Sequence, residues 1–565
     1  MTIKPTRTEQ RPSVVASQRP TTVGRSTLVM AGGTLLSRIT GAMRTITLLG
    51  FGINALTDTY TTANNTPNMI YELVAGGVLS AVLVPLFVGL FRSDDERSHD
   101  GINAILSLTA VVLLAAVAAI AAFAPAIVWL FLSGPADGLK RTVATELLRY
   151  FAPQVAVYGF ITVATAMLNA RRRFAAPMFA PVLNNLTVIV VLLWARRVVH
   201  ALVRHPGSSP TAALEAVAHD TFAKVLLGLG TTAGVVAMGA ALLPSMRSLG
   251  VRLRWHWEPR HPAVRDLIRL SGWTVGYVVA NQLALSFVTN TANRHDGDYT
   301  AYNSAFATFF LLPHGIFAVS IMTALQPSLA EAFLDRRRGR FRIQLTGGIR
   351  TTLTVMVPAA VGYAVLARPI VGLIRNGGLT ASDANRVGDV LQAFAIGLPG
   401  FSVYLLLMNA FKAMRDTRAT FEINAFENAC NIVLAALFYR IGWGVRGLAL
   451  SFTIAYFLAA LRALRVVSRR TRGLKERELL DHLGRTLAAS ALMAAAVKAV
   501  AELVVRLCVR PEAPLRLPGR LGLVVEVGAA VTCGVTVYAV VGRLVGVSEI
   551  DSVLSGLRRR VGSRR

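Results

Sequence analysis

The chain has 565 residues, 54% of them hydrophobic, and a formal net charge of +29 at pH 7. Because about 20 apolar residues span a bilayer, and long apolar runs recur along the whole chain, this composition predicts a multi-pass membrane protein. In a soluble protein so much positive charge would indicate nucleic-acid binding. Here the basic residues lie mostly between the apolar runs, where membrane topology explains them, and no nucleic-acid partner is expected.

Several classes of enzyme and metal protein are excluded by the absence of their motifs. Cys430, Cys508 and Cys533 have neither metal-ligand nor disulfide spacing. The sequence contains no G-x-x-x-x-G-K-[ST] phosphate loop, no H-E-x-x-H and no G-x-S-x-G. We therefore expect no metal, no cofactor and no catalytic site.

In chain order, the first segment is polar, and residues 1–24 are predicted to form a disordered cytoplasmic tail. Hydropathy then predicts about fourteen transmembrane helices, near residues 26–53, 58–91, 102–133, 142–170, 174–199, 220–245, 266–293, 299–334, 343–374, 384–411, 419–440, 443–468, 486–509 and 521–546. The predicted fold is an all-α polytopic membrane protein.

An internal repeat divides these helices into two lobes. Three pairs of positions recur at offsets of 242 to 244 residues: Pro85 with Pro327, Arg173 with Arg415, and Pro125 with Pro369. Each pair alone is weak evidence, but together they indicate two parallel repeats of six helices. We expect an N-terminal six-helix lobe (25–255), a C-terminal six-helix lobe (256–470), two additional transmembrane helices (471–546) and a basic cytoplasmic tail (547–565).

The charge of the loops predicts the orientation. With the N-terminus in the cytoplasm, the cytoplasmic segments carry 37 of the 59 lysines and arginines and the outward segments carry 15. This is the asymmetry that the positive-inside rule describes, so both termini are expected in the cytoplasm.

The first predicted helix contains two arginines, Arg38 and Arg44, in an otherwise apolar run. An arginine at bilayer depth costs roughly 2.5–3.5 kcal/mol, so such residues usually face a bundle interior or a water-filled cavity. Two interpretations are open: pairing with a carboxylate such as Asp58 or Glu72, or a cavity that binds phosphate through guanidinium groups. The two side chains point roughly 120° apart on a straight helix, so Gly41 is a candidate hinge.

The second and eleventh predicted helices carry further candidate groups. The second contains Asn68 and the paired glycines Gly76 and Gly77, a second candidate hinge. In the eleventh, Glu422 and Glu427 lie among several asparagines. These carboxylates form either a proton or ion relay or a set of interhelical hydrogen bonds.

These residues resemble the motifs of a known family. The block Ser37–Arg44 matches the S-R-x-x-G-x-x-R pattern that is typical of the first helix of the MurJ/MviN family, and Thr57-Asp58 and Pro67-Asn68 resemble its second helix. Leu312–Gly315 is similar to part of its eighth helix. Over about residues 26–470 the chain thus resembles bacterial flippases for lipid II, the undecaprenyl-diphosphate-linked precursor of peptidoglycan. That family belongs to the multidrug/oligosaccharidyl-lipid/polysaccharide exporter superfamily.

The resemblance implies a function and a set of site residues. Two lobes would rock around a central cationic cavity in which Arg38 and Arg44 hold the diphosphate beside Asp58 and Asn68, while the last two helices form a groove for the lipid tail. The expected protein is a transporter of the bacterial inner membrane that moves lipid II from the cytoplasmic to the outer leaflet by alternating access. An ion gradient or the membrane potential would drive it, and membrane lipids and cell-wall synthesis proteins are the expected partners.

Departures from the family pattern leave alternatives open. Better-known members have arginines at positions that correspond here to Tyr71-Glu72 and Thr308, and an acidic residue where this chain has Thr45. The alternatives are an exporter of another polysaccharide lipid or of a drug in the same superfamily, and a non-transporting membrane scaffold for cell-wall enzymes.

Overall fold

Helices make up the described part of the chain. In the computed structural model, the residues that the structure describes are 20–72, 83, 86–89, 96–134, 138–171, 173–203, 211–249, 255–258, 262–509 and 520–551. No β-strand occurs within these ranges, and the expected all-α membrane fold is confirmed. The first helix begins at Pro20, inside the segment predicted to be a disordered tail. The candidate hinge Gly76-Gly77 and most of both predicted tails lie outside the described residues.

The helices are numbered here in chain order. They are α1 (Pro20–Leu49), α2 (Ala55–Tyr71), α3 (Glu96–Phe131), α4 (Gly138–Phe151), α5 (Gln154–Ala170), α6 (Ala175–Leu202), α7 (Ala212–His219), α8 (Thr221–Ala240), α9 (Leu243–Arg247), α10 (Pro262–Ala292), α11 (Asp298–Leu334), α12 (Arg338–Leu373), α13 (Ala381–Ala413), α14 (Thr417–Arg440), α15 (Gly444–Thr471), α16 (Glu476–Val504) and α17 (Leu521–Leu544).

Every predicted span overlaps at least one of these helices. In the described residues nine helices are long and apolar enough to cross a membrane, or ten if α4 and α5, which meet at 40°, form one bent span. Four helices that overlap predicted spans, α1, α2, α10 and α14, do not meet this criterion of length and apolarity. The count of fourteen therefore stays a prediction. The sequence predicts no helix at α7, which lies between the predicted spans 174–199 and 220–245.

Buried apolar side chains form two large cores. One joins α2 to α8 and includes Leu147 and Phe151. The other joins α10 to α15 and includes Phe394 and Phe452. We call α1–α9 the N-terminal lobe and α10–α15 the C-terminal lobe. Leu49, at the end of α1, is buried in the second core, so the first helix connects the two lobes.

The last two helices pack outside the two lobes, against α12. Leu366 of α12 forms a small core with Met493, Val497 and Ala530 of α16 and α17. The hydroxyl of Tyr538 donates a hydrogen bond of 2.7 Å to the carbonyl oxygen of Thr354. In a membrane such close packing and interhelical hydrogen bonds hold helices together, because lipid supplies no hydrophobic driving force.

Helix α11 is irregular in its middle. Two π-helical turns, Ala305–Phe310 and His314–Ala318, flank the short stretch Leu311–Pro313. Pro313 has no N–H to donate, and π-turns of this kind accommodate the interrupted ladder. The irregular stretch places Gly315 at the interface between the lobes, opposite α1.

Candidate functional site between the lobes

Asp58 joins the two lobes at one end of the bundle, which we call the closed end. Asn54 caps the first turn of α2, accepting from the N–H groups of Leu56 at 3.0 Å and Thr57 at 3.2 Å. Asp58, one residue further on, is fully buried. Its carboxylate accepts hydrogen bonds from the N–H of Gly297 at 2.6 Å and from the N–H and hydroxyl of Thr300 at 2.8 and 2.7 Å.

The turn that donates these hydrogen bonds to Asp58 requires a glycine at position 297. Gly297 has a φ of +86°, in the left-handed region, and a side chain there would also collide with Ile53. Both carboxylate oxygens of Asp58 accept hydrogen bonds from this turn, so in this conformation Asp58 links the two lobes. It does not line the chamber described below.

Other polar contacts cross between the lobes near the same end. Three side-chain amides donate across the lobe interface: Asn293 to the hydroxyl of Thr62 at 3.0 Å, Asn65 to the hydroxyl of Tyr299 at 3.0 Å, and Asn290 to the hydroxyl of Ser133 at 2.9 Å. Lys140 forms an ion pair with Asp296. The N–H of Gly378 donates to the carbonyl oxygen of Gly50 at 2.8 Å. The lobes are therefore sealed at the closed end by hydrogen bonds from several helices.

Arg38 extends from α1 to the C-terminal lobe in the middle of the bundle. Its half-buried guanidinium lies so close to Gly315 that a methyl group on that glycine would overlap it. The neighbouring His314 is fixed by a 2.9 Å hydrogen bond to Ser402. Arg38 makes neither a hydrogen bond nor an ion pair with any residue in the described ranges. The guanidinium is thus positioned to bind an anion between the lobes.

Arg44, the second arginine of α1, faces a different environment. It interacts electrostatically with the hydroxyl groups of Tyr60 and Tyr158, both in the N-terminal lobe. Helix α1 is continuous through Gly41, where a side chain would make ordinary contact with Asn185 at 3.6 Å. The helix is thus not interrupted at Gly41, and in this conformation Arg38 and Arg44 have different neighbours.

A polar chamber of about 350 Å³ lies between the lobes. Its lining residues are Asn65, Asn68, Met69, Glu72, Asn281, Ala284, Leu285, Val288, Tyr299, Tyr302, Asn303, Phe306, Ala307, Glu427, Asn428, Asn431, Phe452 and Tyr456. Glu72 accepts hydrogen bonds from Gln282 at 3.1 Å and Asn68 at 3.4 Å. Asn281 accepts from both Asn424 and Asn428 at 3.0 Å. None of these lining residues is basic, so the described wall of the chamber is amide-rich and acidic.

The two carboxylates of α14 are separated. Glu427 is 1% exposed and lines the chamber, and its Oε2 atom finds no hydrogen-bond partner among the described residues. Glu422 is exposed and forms a 2.8 Å ion pair with Arg418 one turn away. An unpartnered carboxylate inside a membrane protein is costly and usually functional, so Glu427 is the stronger candidate for an ion-responsive group.

Comparison with known proteins gives the family. The family model described as "Lipid II flippase MurJ" matches residues 49–515, most of the chain. The chain belongs to the MurJ family. It is similar to a probable lipid II flippase MurJ of Vibrio cholerae, with 27% identity over 450 residues that cover 77% of this chain and 81% of the relative. The family membership that the first-helix motif predicts is confirmed.

Solved structures show the same fold. A lipid II flippase MurJ in an inward closed conformation matches with a TM-score of 0.71 at 20% identity, over 92% of this chain and 98% of that chain. An inward-facing multidrug resistance transporter of the MATE family and MOP superfamily matches with a TM-score of 0.59 at 15% identity, over 79% and 98%. The MurJ family fold therefore extends over nearly the whole chain.

The positions that depart from the MurJ family pattern have their own neighbours. Tyr71 forms a hydrogen bond with Thr162, and its ring lies 5.9 Å from that of Tyr158. Thr308 is on the first π-turn of α11, and its buried hydroxyl has no partner in the described part of the chain. Of these positions only Glu72 lines the chamber, where it places an acidic group.

An apolar groove of about 490 Å³ lies beside the C-terminal lobe of this MurJ family member. It is formed mainly by α12, α16 and α17, with Phe317 of α11 at its edge. Tyr363, Leu366, Met493 and Val535 are among its lining side chains. The last two helices thus form a groove suited to a hydrocarbon chain, where the resemblance implies one.

Sequence reasoning missed several residues of this site. Asn281 and Gln282 of α10 and Asn303 of α11 were not singled out, although adjacent amides inside a predicted transmembrane helix are a visible signal. Gly315 was noted only as part of a motif. A glycine shows no chemistry of its own, and its role depends on the arginine that approaches it from the other lobe.

Proposed function

We propose that this chain is a flippase that moves lipid II between the membrane leaflets by alternating access. Family membership supports this proposal. The main structural support is that the guanidinium of Arg38 lies at the lobe interface with no anionic partner in the described residues. A guanidinium binds phosphate oxygens bidentately and keeps its charge. We therefore assign the lipid diphosphate to Arg38, with Arg44 as a second contact when the lobes separate.

The conformation described here is too closed to hold the substrate. A volume of 350 Å³ is at the lower end of the range for drug-sized ligands, and a diphosphate that carries a glycopeptide is larger. The lobes must therefore part at the end away from Asp58 to admit the headgroup, and part at the closed end to release it. The polyprenyl tail would stay in lipid against the groove of α12, α16 and α17 throughout.

The orientation that fits this cycle has the closed end facing outwards and both termini in the cytoplasm of the bacterial inner membrane. The excess of basic residues in the opposite loops supports it. In this orientation the described state is closed to the outside, and parting of the lobes at the cytoplasmic end would then admit a substrate from the cytoplasmic leaflet.

For the driving force, we propose that a proton or cation binds at Glu427. In liposomes with an imposed ion gradient, Glu427→Gln should remove the stimulation that the gradient gives and leave the gradient-free rate, because the amide keeps the shape of the side chain and loses its charge. The matched control is Glu422→Gln, which changes an exposed carboxylate on the same helix. An undiminished response of Glu427→Gln to every gradient tested would exclude this role.

The Arg38 assignment predicts a graded loss of substrate binding. Replacing Arg38 or Arg44 by alanine removes a charge-assisted contact worth roughly 1.5–3 kcal/mol, so binding of purified protein to lipid II should weaken by about tenfold or more. Lysine keeps the charge and loses the bidentate geometry, so it should give an intermediate affinity. Both binding and flipping would be measured with purified protein and defined polyprenyl-diphosphate lipids.

The control for this experiment is Arg149→Ala, since Arg149 is an exposed arginine of α4 whose side chain donates to the carbonyl oxygen of Ala121 at 3.4 Å. All variants should insert normally, because removing an arginine from mid-span makes insertion easier. Wild-type flipping by both alanine variants at normal protein levels would make these arginines structural and remove the support that the structure gives to the proposal.

The acidic chamber favours a second candidate function, export of a cationic compound. Glu72 and Glu427 would attract a cation, as carboxylates do in a low-dielectric site. The same purified protein distinguishes the two: transport of cationic dyes that requires Glu72 and Glu427 and is indifferent to Arg38 would favour export over lipid flipping.

A further inference from the structure

A further cavity lies at the end of the C-terminal lobe opposite the closed end. Its volume is about 1020 Å³, and it lies where the turns α11–α12 and α13–α14 meet the end of α15. Its lining residues are Ala332, Phe333, Leu334, Arg336, Arg338, Phe341, Met414, Arg415, Asp416, Thr417, Arg418, Arg470 and Thr471. None of these comes from the N-terminal lobe, so the cavity is separate from the interlobe chamber. We call it the arginine pocket.

The charge in the arginine pocket is not balanced by its own residues. Five of its lining residues are arginines and one is acidic. That acid, Asp416, is already engaged: it forms an ion pair with Arg470 and accepts the N–H of Ala419 at 2.9 Å as the cap of α14. Arg418 is paired with Glu422.

The other three arginines of the pocket, Arg336, Arg338 and Arg415, make no side-chain hydrogen bond or ion pair within the ranges described. Their side chains are exposed to the cavity. Three arginines without such partners, contributed to one cavity by two turns, favour an anion there.

The backbone holds two of these arginines in an unusual conformation. Arg336 and Arg415 have φ values of 55° and 57°, in the left-handed region. Each arginine lies just after the end of a helix, and the N–H of the residue that follows it donates back to a carbonyl oxygen of that helix. These hydrogen bonds join Arg337 to Ala332 at 2.9 Å and Asp416 to Phe411 at 3.0 Å. Glycine is the usual residue at such a position, so the backbone is locally strained where each of these two turns has an arginine.

We propose that the arginine pocket is a binding site for a phosphate-bearing anion with more than one negative charge. Guanidinium groups bind phosphate oxygens in pairs, and three unpaired arginines match an anion of two or more charges. At the rim of the pocket, Phe333 and Leu334 are 41% and 62% exposed, which also suits an anionic lipid headgroup with its chains in the bilayer. The site does not depend on the proposed transport of lipid II, since none of its residues lines the interlobe chamber.

The test uses the full chain in nanodiscs and two probes. One arm titrates inorganic pyrophosphate into protein in phosphatidylcholine nanodiscs and measures binding by calorimetry. The other supplies phosphatidic acid, a lipid whose phosphomonoester carries up to two negative charges, and counts bound lipids by native mass spectrometry. The pocket variant combines Arg336→Asn, Arg338→Gln and Arg415→Asn, with asparagine at the two turns because it tolerates the left-handed region.

The control variant combines Arg340→Gln, Arg472→Asn and Arg477→Gln. These are exposed arginines that do not line the pocket, and Arg472 also has a positive φ of 61°. Both variants lose the same charge. We expect the pocket variant to bind about tenfold or more weakly than wild type, because a single charge-assisted hydrogen bond already corresponds to roughly that factor, while the control keeps wild-type affinity.

The two arms identify the source of the anion. Pyrophosphate binding that only the pocket variant loses indicates a soluble phosphate compound; phosphatidic acid binding with the same pattern indicates a membrane lipid. Equal losses in both variants would show non-specific attraction to a basic surface, and no binding of either probe to wild type would show that there is no site; each of these two results overturns the proposal. Arg338→Gln alone, which leaves both strained turns intact, repeats the test if the combined variant does not fold.

Discussion

A crosslink between Ser133→Cys and Asn290→Cys should reduce lipid transport to the rate of protein-free vesicles. The two side chains come from different lobes and lie 2.9 Å apart in the described conformation. If release of the substrate requires the lobes to part at this end, a short bifunctional thiol reagent that joins them holds the protein in one state, and no cycle is completed. The experiment starts from a background in which Cys430, Cys508 and Cys533 are replaced.

The controls for the crosslink are the two single-cysteine proteins treated with the same reagent and a cleavable form of the reagent, whose reduction should restore transport. A membrane-impermeant reagent added outside intact cells also tests the orientation, because it reaches these positions only if the closed end faces outwards. Undiminished transport by fully crosslinked protein would be incompatible with alternating access between these lobes.

Replacing Asp58 by asparagine should shift the protein towards the state that is open at the closed end. The carboxylate accepts three hydrogen bonds from the other lobe, and an amide retains only one oxygen and places a donor against the donors of the turn. A buried polar group without its partner costs about 1–3 kcal/mol. Because this contact exists only in the closed state, the equilibrium should move by a factor of roughly 5–150.

The shift would be measured as a distance distribution between spin labels at Thr142→Cys and Ser382→Cys, exposed positions in different lobes. Thr300→Val, which removes only the hydroxyl donor, should give a smaller shift in the same direction. Asp220→Asn is the matched control, since that carboxylate caps α8 through the N–H of Ala223 at 2.6 Å within one lobe. A distribution for Asp58→Asn that matches wild type would show that Asp58 does not hold the lobes together.

The sequence predicted the charged residues of this site better than their partners. Arg38 was predictable because a charge inside an apolar run is visible without any structure, and so was the helical membrane fold. Its neighbour Gly315 was not, because the contact depends on how two separate lobes meet. The partners of Asp58 were invisible for a similar reason: two of its three hydrogen bonds come from backbone N–H groups, which every sequence has at every position except proline.

Periodicity also has limits within a single helix. The sequence leaves an ion relay and interhelical hydrogen bonds open for Glu422 and Glu427. Their spacing of five residues puts them on different sides of α14 but does not show which side faces the chamber, and only Glu427 reaches it. Hydropathy predicted the span of α11, yet it carries no information on the π-turns around Pro313. Such turns follow from how the surrounding helices satisfy the freed backbone groups.

Several of the contacts that hold the lobes together at the closed end are polar, and this has a consequence for how the cycle responds to temperature. Unfolding and binding equilibria have strongly curved temperature dependences when they expose or bury much apolar surface, because apolar hydration carries a large heat capacity. Parting Asp58 from Gly297, or Asn293 from Thr62, exposes groups that water can hydrogen-bond in turn. These polar contacts should therefore add little heat-capacity change to the step between the closed and open states, so they should add little curvature to its temperature dependence.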